Sequence, residues 1–299
     1  MTKNKISNFS FGILSVILLT IGLLTFIWYS PTEIKINNPD GKTVDIQNRY
    51  GLNIAVSIDT VDRSRGLAFM AHGFGGNKED DNILSLAKIF NNHGYSTIRF
   101  DATNSTGQSE GDLAYANSIT YRDDLFDIIT WAKTQEWYQE PFYLCGYSLG
   151  AVASIAYAEN HPTEVKGLVA ISPVVAGQLY ITDVYKRDIE DWEQVWLQLN
   201  KLYLYSQNHG DTHATRWLPL ILDIMRFNLI QSADKLTMPV LIVVGQEDLL
   251  APPEHQQKLL QAISGDAELI IIEHGDHFFE SGEHLKDLIE KVENWLKIH

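Results

Sequence analysis

A serine between two glycines, an aspartate and a histidine each follow an apolar run in this 299-residue chain. Gly146-Tyr147-Ser148-Leu149-Gly150 comes directly after the run at 142–145 and opens an alanine-rich stretch, LGAVASIAYAEN. On a sharp turn from strand to helix such a serine projects its hydroxyl above the sheet, and the flanking glycines relieve the crowding. The helix N-terminus behind it favours the negative charge that develops during attack on a carbonyl. A serine nucleophile needs a base, and the base needs an orienting carboxylate. Asp248 lies just past the run at 240–244, in Gly245-Gln246-Glu247-Asp248, and His277 just past 269–272, in His274-Gly275-Asp276-His277. Both positions are carboxyl ends of expected strands, the edge where open α/β sheets place their sites. The chemistry implied is acyl transfer through a covalent serine intermediate, which requires no metal and no organic cofactor.

Other residues compete for these roles. Asp276 adjoins His277, and sequence neighbours rarely face each other well enough for an orienting bond, so a local role suits it better. Glu247 is the alternative acid and His274 the alternative base. His209 and His213 have metal-ligand spacing but sit in a polar stretch without an obvious third ligand, and a solvated loop is favoured. Cys145 reads as buried strand packing, since the serine beside it leaves it no task. Asn104-Ser105-Thr106 matches a glycosylation acceptor, which matters only in a secretory eukaryotic host.

The elements that must position these residues follow a regular rhythm. An opening pair of strands is expected within 43–61, then strands at 66–72, 96–101, 142–145, 167–171, 240–244 and 269–272. Helices are expected near 79–92, 119–133, 149–160, 253–263 and 283–297, where apolar residues recur every three or four positions. Continuous apolar strands alternating with amphipathic helices predict an α/β fold, a mostly parallel sheet covered on both faces. The rhythm breaks at 176–236, which has no clear strand. There Val184, Ile189, Trp192, Trp196, Leu199 and Tyr203 fall at helical intervals, predicting a helical cap over one edge of the sheet.

Five motifs carry a resemblance: HGFGG at 72–76, RFD at 99–101, GYSLG at 146–150, GQED at 245–248 and GDHFF at 275–279. On these the chain resembles the α/β-hydrolase superfamily, close to the small bacterial esterases grouped with feruloyl esterases, monoacylglycerol lipases and S33 serine aminopeptidases. The resemblance covers residues 43–299 and implies the α/β-hydrolase fold. It also implies an oxyanion hole made by the backbone N–H groups of Phe74 and Leu149, with Ser148, Asp248 and His277 as the triad. The substrate implied is a small-molecule carboxylic ester with a short or aromatic acyl group; an S33-like aminopeptidase and a catalytically inactive binding module are the alternatives. Relatives often carry Arg-Gly-His-Gly after the FD, whereas this loop reads Ala102-Thr103-Asn104-Ser105-Thr106-Gly107, which weakens inference about substrate but not about catalysis. A peptidase would need a cap carboxylate for the substrate's amino group, and Glu190, Asp191, Glu193 and Asp223 are available.

The first residues are a different kind of chain. No charged side chain occurs from 6 to 32, and 9–29 is dominated by Ile, Leu, Val and Phe. As a helix those residues rise about 31 Å, matching a hydrocarbon core of roughly 30 Å. Lys3 and Lys5 precede the stretch, and Trp28 and Tyr29 close it where an aromatic belt sits. The expectation is a cytoplasmic N-terminus (1–8), a transmembrane anchor (9–29), a linker (30–42) and a hydrolase domain (43–299) on the extracytoplasmic side. A cleaved signal peptide competes, but Trp28 and Ser30 before Pro31 make a poor cleavage site, and a buried core helix is rarely so long and uncharged. The chain holds 23 basic against 38 acidic residues, a formal charge of −15, which argues against nucleic acid as partner. Its single cysteine excludes an intramolecular disulfide.

Overall fold

Runs of consecutive apolar residues bury both their faces only at the centre of a covered sheet. Such runs form most of β3 (Leu67–Ala71), β5 (Phe142–Tyr147), β6 (Val165–Ile171) and β7 (Val240–Gly245), while β4 (Ser96–Phe100) is buried with its Thr97 and Arg99 bonded to Asp59. With β1 (Lys42–Gln47), β2 (Asn53–Asp59) and β8 (Ala267–Ile272) they make an eight-stranded sheet in the order β1-β2-β4-β3-β5-β6-β7-β8. The β1–β2 and β2–β4 pairs are antiparallel, and every pair from β4 to β8 is parallel. This is the mostly parallel, doubly covered sheet that the strand–helix rhythm predicts, and it agrees with the α/β-hydrolase fold that the motif resemblance implies. The structure, a computed structural model, describes residues 42–179, 223, 227–279 and 282–299.

Five helices cover the sheet: α1 (Asp81–Asn92), α2 (Ser118–Ala132), α3 (Leu149–Asn160), α4 (Pro253–Ala262) and α5 (Gly282–Leu296). α1 buries Ile83, Leu86, Ala87 and Phe90, the i, i+3, i+4, i+7 stripe of a one-sided helix. It joins α5, through Leu288, Val292, Trp295 and Leu296, on one face of the sheet. On the other face, α2, α3 and α4 pack over Phe69, Leu144, Leu168 and Ile242. Each large side chain buried this way contributes roughly 1.5–3 kcal/mol. α3 is buried on nearly every side, which is why its sequence is rich in alanine instead of showing a polar stripe.

The observed strands match the eight expected in place, with ends shifted by a few residues. The largest functional shift is in β5, which continues through Gly146 and Tyr147 instead of stopping at Cys145, because Gly146 and Tyr147 pair in register with Ala170 and Ile171 of β6. Ser148 therefore follows the last paired residue. Of the 176–236 insertion, its two ends are described: an antiparallel bridge joins Ala176 to Asn228, and a 3-10 segment runs over Leu229–Lys235. The intervening cap residues, His209 and His213 among them, and the apolar stretch at 9–29 lie outside the described residues. Among the described residues no helix is long and apolar enough to cross a membrane.

Candidate active site

Ser148 stands between the end of β5 and the first residue of α3, with φ 51° and ψ −113°. A non-glycine residue at positive φ is costly, and surrounding structure must enforce it. The enforcement is visible. The Ser148 N–H donates to the Ile171 carbonyl on β6 (2.8 Å) and its carbonyl accepts from Val152 (3.1 Å). A Cβ at Gly146 would lie 2.6 Å from the Ala151 backbone, and one at Gly150 would run into the Ala71 carbonyl at the end of β3. Both glycines of the pentapeptide are thus required by close backbone approach.

His277 and Asp248 reach the same point from the ends of β8 and β7. Nδ1 of His277 donates to Oδ2 of Asp248 at 2.8 Å, and Nε2 lies 3.0 Å from Oγ of Ser148. Because the carboxylate holds Nδ1 as the donor, the Nε2 lone pair is left facing the serine hydroxyl. The other oxygen of Asp248 accepts the N–H groups of Leu250 (2.9 Å) and Ala251 (2.7 Å). The carboxylate is therefore held at both ends and aimed. Asp248 and His277 are buried at 1% and 2% exposure, so water does not compete for the bond between them. The two loops are stitched together by Gln246 donating to Ile272 and Glu247 to Gly275, each at 2.8 Å.

The competing residues lie elsewhere. Asp276 accepts the Phe278 N–H (3.0 Å), a local bond. Glu247 and His274 face each other at 3.2 Å on the exposed side of these loops. Cys145 is buried on β5, and burial pushes its thiol up to about 12, where little thiolate exists at neutral pH. Asp223 accepts the Ser118 N–H at the start of α2.

The loop after β3 carries the proposed anion-stabilising Phe74. Its backbone runs against the serine turn: a Cβ at Gly73 would lie 3.3 Å from Cβ of Ser148. Leu149, the other donor expected, opens α3, where the first N–H groups of a helix have no partner within it.

Three residues to which the sequence reading gave no such role, His72, Tyr121 and Asp101, fix this loop, and Asp124 fixes the neighbouring loop after β4. His72, fully buried, has its Nδ1 2.7 Å from the Gly73 carbonyl and its Nε2 2.9 Å from the Ala102 N–H. A carbonyl only accepts and an N–H only donates, so the ring is neutral with its proton on Nδ1; burial lowers its pKa accordingly. Tyr121 of α2 donates to the same Gly73 carbonyl (3.1 Å). Asp101 at the end of β4 accepts from Nζ of Lys78 (2.9 Å) and from the backbone N–H groups of Lys78 and Gln108 (2.7 Å each). Asp124 of α2 accepts both the N–H and hydroxyl of Thr103. His72 and Asp101 stand at carboxyl ends of adjacent strands, and that placement was the signal in the sequence.

The comparisons with known proteins follow this geometry. The chain is similar to an uncharacterized 31.7 kDa protein of the traX-finO intergenic region of Escherichia coli, 24% identical over 260 residues that cover 76% of this chain and 88% of that one. Among solved structures it is similar to the α/β hydrolase GrgF from Penicillium sp. sh18 (TM-score 0.68, 17% identity, 87% and 99% of the two chains). It is likewise similar to Est1E from Butyrivibrio proteoclasticus bound to ferulic acid (TM-score 0.66, 19% identity, 85% and 98%). The esterase Pf2001 of Pyrococcus furiosus matches at TM-score 0.62 and 17% identity over 90% and 98%. The model of the family described as serine aminopeptidase, S33, matches residues 62–215, from the strand before the HGFGG loop through the serine turn and into the insertion. With just over half of its length matched, this chain belongs to the serine aminopeptidase S33 family of hydrolases.

Proposed function

We propose that the protein hydrolyses carboxylic esters with short or aromatic acyl groups, with Ser148 as nucleophile, His277 as general base and acid, and Asp248 as the orienting carboxylate. The observation that carries this reading is His277 bridging Ser148 Oγ at 3.0 Å and Asp248 Oδ2 at 2.8 Å. His277 Nε2 takes the serine proton as Oγ bonds to the ester carbonyl carbon. The N–H groups of Phe74 and Leu149 hold the resulting oxyanion, each worth on the order of 3 kcal/mol to the barrier. Collapse breaks the bond to the leaving alcohol, which receives the proton from His277 and leaves an acyl-enzyme. Water, deprotonated by the same nitrogen, then releases the acid and restores Ser148. No metal or organic cofactor enters any step.

p-Nitrophenyl acetate and butyrate test this. Ser148→Ala is expected to lose at least about 10³-fold in kcat, and turnover equal to the parent removes the serine from the mechanism.

The family match supports a second reading, an aminopeptidase using the same three residues. It needs a carboxylate for the substrate's amino group, and Asp223, one of those available, is engaged on the Ser118 N–H. Comparing aminoacyl-naphthylamides with simple esters separates the two. For location, the apolar run at 9–29, the two lysines before it and the aromatic pair that ends it support a single-pass anchor with the hydrolase domain on the extracytoplasmic side.

A further inference from the structure

We propose that Tyr147 is a positioning residue for the reaction, its phenol holding the base in line with the nucleophile. The inference rests on the hydrolase reading above and extends it to a residue given no role so far. Tyr147 is the last residue of β5, one position before Ser148, and its side chain points to the face of the sheet covered by α1 and α5. There its hydroxyl donates to the backbone carbonyl of His277. Its ring lies 5.8 Å from the His277 ring, and a Cβ on Gly73 would come within 3.0 Å of it. One side chain thus touches the base loop and the oxyanion loop, while its own backbone leads directly into the nucleophile.

The physical case is one of leverage. His277 makes two side-chain bonds that must stay in line at once, to Asp248 and to Ser148, and its orientation follows the peptide that carries it. Glu247 ties the base loop at Gly275, two residues before His277, and Phe278 is tied to Asp276 within the same loop. The Tyr147 hydroxyl instead holds the peptide of His277 itself, from the strand that bears the serine. His277 is 2% exposed, so removing the donor leaves a carbonyl that water reaches poorly. The loop would then shift to find a partner, and a displacement well under 1 Å misaligns the proton transfer.

Tyr147→Phe keeps the ring and deletes only the hydroxyl. With p-nitrophenyl butyrate its kcat is expected to fall about tenfold, with KM within about twofold of the parent, since the phenol is engaged on the His277 carbonyl. The rate of Ser148 labelling by a fluorophosphonate should drop in the same proportion, while the melting temperature falls by no more than several degrees, the cost of one lost buried hydrogen bond. A folded Tyr147→Phe variant with kcat and labelling rate within twofold of the parent overturns the proposal. So does a loss of activity that a lower assay temperature restores in full, because that pattern belongs to stability alone. If the variant does not fold, the parent protein supplies the test. A phenolic proton held on a buried carbonyl exchanges slowly enough to give its own NMR resonance, and its absence at Tyr147 in protein isotopically labelled at tyrosine overturns the proposal. Ser148→Ala is the control: if it keeps turnover the hydrolase reading itself fails, whereas loss in Ser148→Ala beside an unaffected Tyr147→Phe refutes the role of Tyr147 alone.

Discussion

A histidine with one ring nitrogen donating to a carbonyl and the other accepting from an amide cannot gain a proton without breaking the second bond. His72 is in that position, and its burial disfavours the charged form further. In the unfolded chain it protonates in the ordinary histidine range, around 6.5. The unfolded state therefore binds more protons below that range, so the stability His72 provides is complete above it and declines as the pH falls through it. Urea unfolding at pH 7.5 and pH 5 should show a smaller loss on acidification for His72→Asn than for the parent; equal losses would exclude this linkage. That Asp248 and His277 come together beside Ser148 could be anticipated because each follows a strand and their order along the chain is the one the resemblance implies. The parts played by Tyr147 and Asp124 could not be, and of His72 only its place at a strand end could, because all three bond groups of distant segments, such as Ala102, Thr103 and His277, and no spacing rule encodes such pairings.

Among the elements, α3 does most to fix the serine, and two of its residues respond to substitution in opposite directions. Gly150→Ala places a methyl against the Ala71 carbonyl, where the backbone of β3 has no room to withdraw. We expect it to cost about 3 kcal/mol or more, the upper end for overpacking, measured as a lowered urea midpoint or as failure to accumulate folded protein. Glu159, at the other end of α3, is 8% exposed, and its Oε1 has no hydrogen-bond partner among the described residues. Burial is the main cause that raises it to about 7, with Asp234 adding to the shift and Lys235 opposing it. For a carboxyl raised in the folded state, the favourable contribution is present at low pH and disappears as the pH rises through 7. Glu159→Gln should therefore raise the melting temperature by a few degrees at pH 8.5, where the buried charge is removed. Near pH 5 it should change little, and a variant no more stable than the parent at pH 8.5 would contradict the assignment. The helices and strands themselves were readable from periodicity. The exact end of β5 was not, since Gly146 and Tyr147 join the strand only because β6 offers them partners.

At the scale of the molecule, the proposed anchor would divide the chain between two solvents. Expressed whole, the protein is expected in the membrane fraction and resistant to alkaline carbonate extraction, while residues 42–299 should stay in the supernatant. Full-length protein found in the supernatant would dispose of the anchor. The cap is the largest segment whose course could not be read residue by residue, because aromatic residues at helical spacing suit both a lining and a packing role.

The insertion also leaves and rejoins the body at neighbouring points: Ala176 bridges Asn228, Gly177 donates to the Phe227 carbonyl, and Leu229 donates to that of Val175. Grafting the corresponding segment of a relative between 177 and 227 is therefore expected to leave β6 and β7 in register, since both ends are fixed by bonds outside the exchanged segment.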